Sequence, residues 1–98
     1  MNQSNPDAWR EALKDPKHAA VFLNAAYKEG GRGLFLLALR NVAEAQGGMA
    51  RLASKTGLNR ESLYRTLSER GNPRISTLDA ILEALGLTSV IQPPETGG

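Results

Sequence analysis

Arg60, Glu61, Tyr64 and Arg65 fall within six consecutive positions of the stretch "GLNRESLYRTLS", residues 57–68. Their chemistry is hydrogen-bond reading rather than bond making. An arginine can pair bidentately with guanine in the major groove, and a glutamate can accept from the cytosine amino group. A tyrosine ring can contact a thymine methyl or a phosphate. Lys55, Asn59, Ser62, Ser68, Arg70, Asn72 and Arg74 lie in or beside the same stretch and can donate to phosphate oxygens. Two of these have a second reading: Ser62, three residues after Asn59, can help to cap a helix, and Asn72 can shape the "GNP" turn.

The charge distribution singles out the same region. Residues 51–74 carry six positive side chains against two negative, a local +4, whereas the whole chain is only +2. Residues 1–50 sum to +1 and residues 75–98 to −3. The excess positive charge therefore sits in one segment, the distribution expected of a surface that meets a polyanion.

Two short helices must position these side chains. In "MARLASKT" (residues 49–56) Met49, Leu52 and Ala53 share one face, and Gly57 closes the helix where a side chain would obstruct a tight turn. Leu58 then plugs the core, and Asn59 caps the second helix, whose Leu63 and Leu67 lie one turn apart and face inward. At about 100° per residue, the face opposite those leucines holds Glu61, Arg65 and Ser68, with Tyr64 beside it and Arg60 at the helix start. Small Ala53 lets the two helices approach. This spacing is the sequence form of a helix-turn-helix, whose second helix enters the major groove.

Helical patterns run through the rest of the chain, which predicts an all-α fold. Asp7 or Asn5 can cap a short helix in which Trp9 and Leu13 share a face, with Trp9 stapled onto the main body. Asp15 followed by Pro16 is an N-cap with proline at the first helical position. From there Val21, Phe22, Ala25 and Ala26 give an apolar stripe, ended by Gly30 and Gly31. The run "GLFLLALRNVAEAQ" is apolar on more than one side through Leu34, Phe35, Leu36, Leu37 and Leu39, so its leucines are expected in the core, with Gly47 and Gly48 closing the helix. After the "GNPR" turn, Ser76 is the expected cap of a last helix with Leu78, Ile81, Leu82 and Leu85 inward and Gly86 at its end. Val90 and Ile91 are β-branched, so residues 87–92 can form a short terminal strand. The expected division is a helical extension over residues 1–14, a DNA-binding domain over 15–91 with its motif at 48–68, and a flexible tail over 92–98.

Composition narrows the function classes. Ninety-eight residues suffice for one modest core. There is no cysteine and a single histidine, His18, which excludes a disulfide framework and leaves no thiolate or histidine cluster for a metal. No cofactor is expected. No nucleophile, base and orienting group converge in a recognisable pattern, and no glycine-rich phosphate loop occurs, so an enzyme is not expected. The polar N-terminus does not read as a secretory leader, and the apolar run at residues 34–39 is far short of a membrane span. The expectation is a soluble, cytoplasmic protein.

The segments "GGM", "LASKTGLNRESLYRTLS" and "GNPRISTL", together with the lead-in "DPKHAAVFLNAAYKEG", resemble the addiction-module antidote proteins, the HigA-like antitoxins with a Cro/CI-type helix-turn-helix. The resemblance covers most of the chain outside its first residues and tail. It implies a five-helix, λ-repressor-like fold and a homodimer that binds double-stranded DNA at a palindromic operator in its own promoter, repressing its operon. It also implies a partner, a RelE/HigB-type toxin that cleaves messenger RNA and is neutralised by the antitoxin. Two other readings stand beside it. One is a protein-interaction or toxin-sequestering module with little specific DNA binding. The other is a phage-type repressor without a toxin partner.

Overall fold

The computed structural model describes residues 7–88, which form an all-α fold. Five helices follow in order: α1 (Ala8–Leu13), α2 (Pro16–Ala45), α3 (Met49–Thr56), α4 (Arg60–Thr66) and α5 (Ile75–Ala84). No strand occurs among the described residues. Leu87 and Thr88 have no strand conformation; the rest of the expected strand, the Asn5 cap and the tail at 92–98 lie outside the described residues.

Local chemistry accounts for most of the boundaries. Asp7 occupies the N-cap of α1 and its carbonyl accepts from the N–H groups of Arg10 and Glu11 at 3.0 and 3.3 Å, but its carboxylate makes no capping hydrogen bond to the helix, so the expected side-chain cap is corrected. The Asp15 carboxylate accepts from the Lys17 N–H at 2.9 Å, and Pro16 stands at the first helical position, where its missing N–H costs nothing. At the other end of the chain, Gly86 at φ +80° closes α5: its N–H donates to the Glu83 carbonyl and that of Leu87 to the Leu82 carbonyl, a Schellman motif. Ser76 is not the cap of α5. The helix starts earlier, with Arg74 extended at the N-cap and its carbonyl accepting from Leu78 N–H at 2.9 Å, which leaves Ser76 inside the first turn.

Helix α2 is two helical segments in one run. Gly31 sits at φ 68°, ψ −154°, a conformation open essentially to glycine alone, and the axis breaks there. The expected stop at Gly30–Gly31 is therefore a break with no intervening loop. Before it, the face turned to the core is Ala19, Leu23 and Ala26, at helical spacing. The expected stripe is corrected accordingly: Val21 is 69% exposed and Ala25 is exposed, while Phe22 is half-buried against the core. After the break, Leu36, Ala38, Leu39, Val42 and Ala43 are buried. Leu34 is 40% exposed and Leu37 half-buried, so this segment is not apolar core all round.

The second segment of α2 joins Met49 and Leu52 of α3, Leu63 and Leu67 at and just after α4, and Ile81, Leu82 and Leu85 at the end of α5 in one continuous core. Leu13 attaches α1 to it, and Phe35, Ala53, Leu58 and Leu78 pack against its margin. Fully burying a leucine stabilises the fold by roughly 1.5–3 kcal/mol, so these side chains fix where α3 and α4 sit.

Candidate nucleic-acid interface

Everything about α4 begins with the turn that precedes it. The Thr56 hydroxyl donates to the Leu52 carbonyl at 2.8 Å and accepts from the Leu58 N–H at 3.2 Å, tying the end of α3 to the turn. Gly57 takes the left-handed conformation at φ 75°, ψ 9°, and its N–H donates to the Ala53 carbonyl at 2.8 Å. The Asn59 side chain then accepts from the Ser62 N–H at 3.1 Å, which starts α4 only three residues after α3 ends. Leu63 and Leu67 are 1% and 0% exposed, which fixes the rotation of α4 about its axis.

With that rotation set, Arg60, Glu61 and Arg65 are exposed and Tyr64 is 38% exposed. The four predicted base-reading side chains thus belong to the outer side of one seven-residue helix. Among the described residues none of Arg60, Arg65, Arg70 and Arg74 is held in an ion pair, so their charge is available to an external anion.

The predicted phosphate contacts divide. Arg70 and Arg74 are exposed, Arg74 at the N-cap of α5. Asn59 is committed through its carbonyl oxygen to the cap. Ser62 is half-buried and supplies the capped N–H, while the Ser68 hydroxyl donates to the Arg65 carbonyl at 2.7 Å and closes the last turn. Asn72 accepts from Arg32 Nη1 at 3.2 Å. Lys55 is drawn away from α4: its Nζ donates to the Ala84 carbonyl at 3.4 Å, at the C-terminal end of α5.

Two arginines of α2 escaped the sequence reading. Arg32 reaches Asn72, and Arg40 donates from Nη2 to the Tyr64 carbonyl at 2.8 Å with its guanidinium 5.2 Å from the centre of the Tyr64 ring. The signal for Arg40 was present: it is the one charged residue between positions 33 and 43, and a charge inside an apolar run must find partners.

A second surface lies on α1 and α2. A groove of about 440 Å³ is lined by Trp9, Ala12, Leu13, His18, Phe22 and Asn41. Leu13 is the buried staple of α1, whereas Trp9 stays 41% exposed on the groove wall with the Arg10 guanidinium 5.0 Å from its ring. His18 faces the Asp15 carboxylate at 3.3 Å, both side chains exposed. Among the described residues no group of three or more acidic or histidine side chains could hold a metal ion, and no helix is long and apolar enough to cross a membrane.

Residues 6–93 match the model of a family described as "Probable addiction module antidote protein". The chain belongs to this family. A relative in Haemophilus influenzae, known only as an uncharacterized protein, is 34% identical over 82 residues, which cover 84% of each chain. No solved structure matches. For this antidote, family membership points to an antitoxin role, implies a toxin as partner, and places it among proteins that are generally not enzymes.

Proposed function

We propose that this antidote neutralises a RelE/HigB-type toxin and, as a homodimer, represses its own operon by placing α4 in the major groove of a palindromic operator. The observation that carries the reading is the division of α4 into two sides. Leu63 and Leu67 are sunk in the core, while Arg60, Glu61, Tyr64 and Arg65 stand outward on a helix three residues beyond α3. Two helices joined by a tight turn, with donors and acceptors on the outer side of the second, form a helix-turn-helix suited to reading base edges.

The reading assigns Arg60, Glu61, Tyr64 and Arg65 to bases. Arg70 and Arg74 meet phosphates on either side, and the capping and turn residues Asn59, Ser62, Ser68 and Asn72 act at phosphates mainly by fixing the backbone. In a dimer, the two copies of α4 would address successive major grooves about 34 Å apart. The site of action is the cytoplasm, where the operon and toxin are.

A second reading, a toxin-sequestering module with little sequence preference for DNA, draws on the groove beside Trp9, which among the described residues is lined by α1 and α2 and shares none with the outer side of α4. Titration of the purified protein against its own upstream promoter duplex and a scrambled duplex, at two salt concentrations, separates the two. The repressor reading expects much tighter promoter binding, with both affinities falling as salt rises. Equal, weak binding to both duplexes refutes operator reading.

A further inference from the structure

Arg40 sits in the second segment of α2, yet its guanidinium is committed to α4. It donates to the Tyr64 carbonyl at 2.8 Å and lies 5.2 Å from the centre of the Tyr64 ring. Among the described residues its Nε is buried without a hydrogen-bond partner, so the contacts that hold the guanidinium are those with Tyr64.

Helix α4 gives that placement a purpose. It has only seven residues and leaves helical geometry at Leu67, so carbonyls of its last turn lack partners within the helix. Arg40 supplies one, and its charge suits the negative end of the helix. The same group lies beside the ring, where a cation is attracted to the aromatic face. Backbone and ring of Tyr64 are thereby held by one rigid, planar group, while 38% of the residue stays open to solvent. Eight residues earlier on α2, Arg32 donates to the Asn72 side-chain oxygen at 3.2 Å, beyond the end of α4.

We propose that Arg40 is a positioning residue that fixes the direction of the Tyr64 ring and the end of α4, and so sets sequence preference without itself reading a base. The inference rests on the assignment of α4 to operator DNA. A tyrosine side chain free to change rotamer offers its edge and hydroxyl to a base for only part of the time. A ring held under a guanidinium offers them in one direction.

The test uses the full chain with Arg40→Lys, Tyr64→Ala and the double substitution, titrated against the promoter duplex and a scrambled duplex at two salt concentrations. Arg40→Lys keeps the charge and removes the planar fork. Positioning predicts about tenfold weaker promoter binding, unchanged scrambled binding and an unchanged salt dependence. It also predicts that the Arg40→Lys effect disappears in the Tyr64→Ala background. The aromatic NMR signals of Tyr64 should shift in Arg40→Lys without DNA. Equal weakening on both duplexes makes Arg40 a phosphate contact and overturns the proposal. So do wild-type behaviour of Arg40→Lys, additivity with Tyr64→Ala, or unmoved Tyr64 signals. A wild-type protein that does not prefer its promoter refutes the operator reading itself, whereas an undiminished preference in Arg40→Lys refutes only the role of Arg40.

Discussion

The α3–α4 unit and the first segment of α2 expose side chains for different reasons. On α4 the outer residues are charged or amphipathic, and the inner leucines are almost completely buried. On α2 before Gly31 the outer residues include Val21, at 69% exposure, and Tyr27, at 59%, while the inner face is built from Ala19, Leu23 and Ala26. One surface presents hydrogen-bonding groups fixed to a tight turn; the other mixes the exposed Val21 and Tyr27 with Lys17, His18, Asn24, Lys28 and Glu29 on a helix whose inner face covers the core. Exposed apolar residues scattered singly are ordinary on a protein surface, whereas uncompensated cations on a short, well-anchored helix are a specific device.

Substitutions sharpen that contrast. Leu67→Ala should destabilise the protein by about 2–5 kcal/mol in urea unfolding, because Leu67 is fully buried where α4 ends. A loss under about 1 kcal/mol would mean that α4 is not anchored as described. Arg65→Ala should leave unfolding unchanged yet weaken promoter binding by about 1–3 kcal/mol in the duplex titration, with relaxed preference at one base position. If instead the thermal midpoint falls and binding does not, the outer side of α4 is structural. Asn59→Ala removes the α4 cap and should reduce stability by about 1 kcal/mol, read from the denaturation midpoint. Smallest of all, Val21→Ser should change stability by no more than about 0.5 kcal/mol, and a larger loss would show that α2 is covered there by a partner or a second copy.

The two regions also differ in how readily their sequences could be read. In residues 49–67 the signals are local and agree with one another: Gly57 closes α3, Asn59 is a cap, and Leu63 and Leu67 are one turn apart. Each is decided within a few residues and is found in the structure, but the reason expected for Gly57 is corrected: nothing lies within 4 Å of where its side chain would begin, and glycine is needed for the left-handed φ of 75°, not for space. In residues 16–45 apolar side chains are too numerous for one face, so the pattern Val21, Phe22, Ala25, Ala26 fits a stripe as well as Ala19, Leu23, Ala26 does. Which of these turns inward depends on how α1 and the second half of α2 pack, and that is not local information. Leu34 and the cap of α5 were misread for the same reason: periodicity gives the existence of a helix more reliably than its phase or its first residue.

By itself the sequence determined the all-helical class, the tight turn between α3 and α4, the side of α4 that is left outward and the concentration of positive charge around it. These follow from backbone conformations and helical spacing that neighbouring residues fix. Tertiary packing alone decided the rotation of α2 about its axis, the withdrawal of Lys55 to the end of α5, and the reach of Arg32 and Arg40 to Asn72 and Tyr64. Those contacts join residues 24 to 40 positions apart, and long side chains choose among distant carbonyls and rings only once the core has brought their helices together.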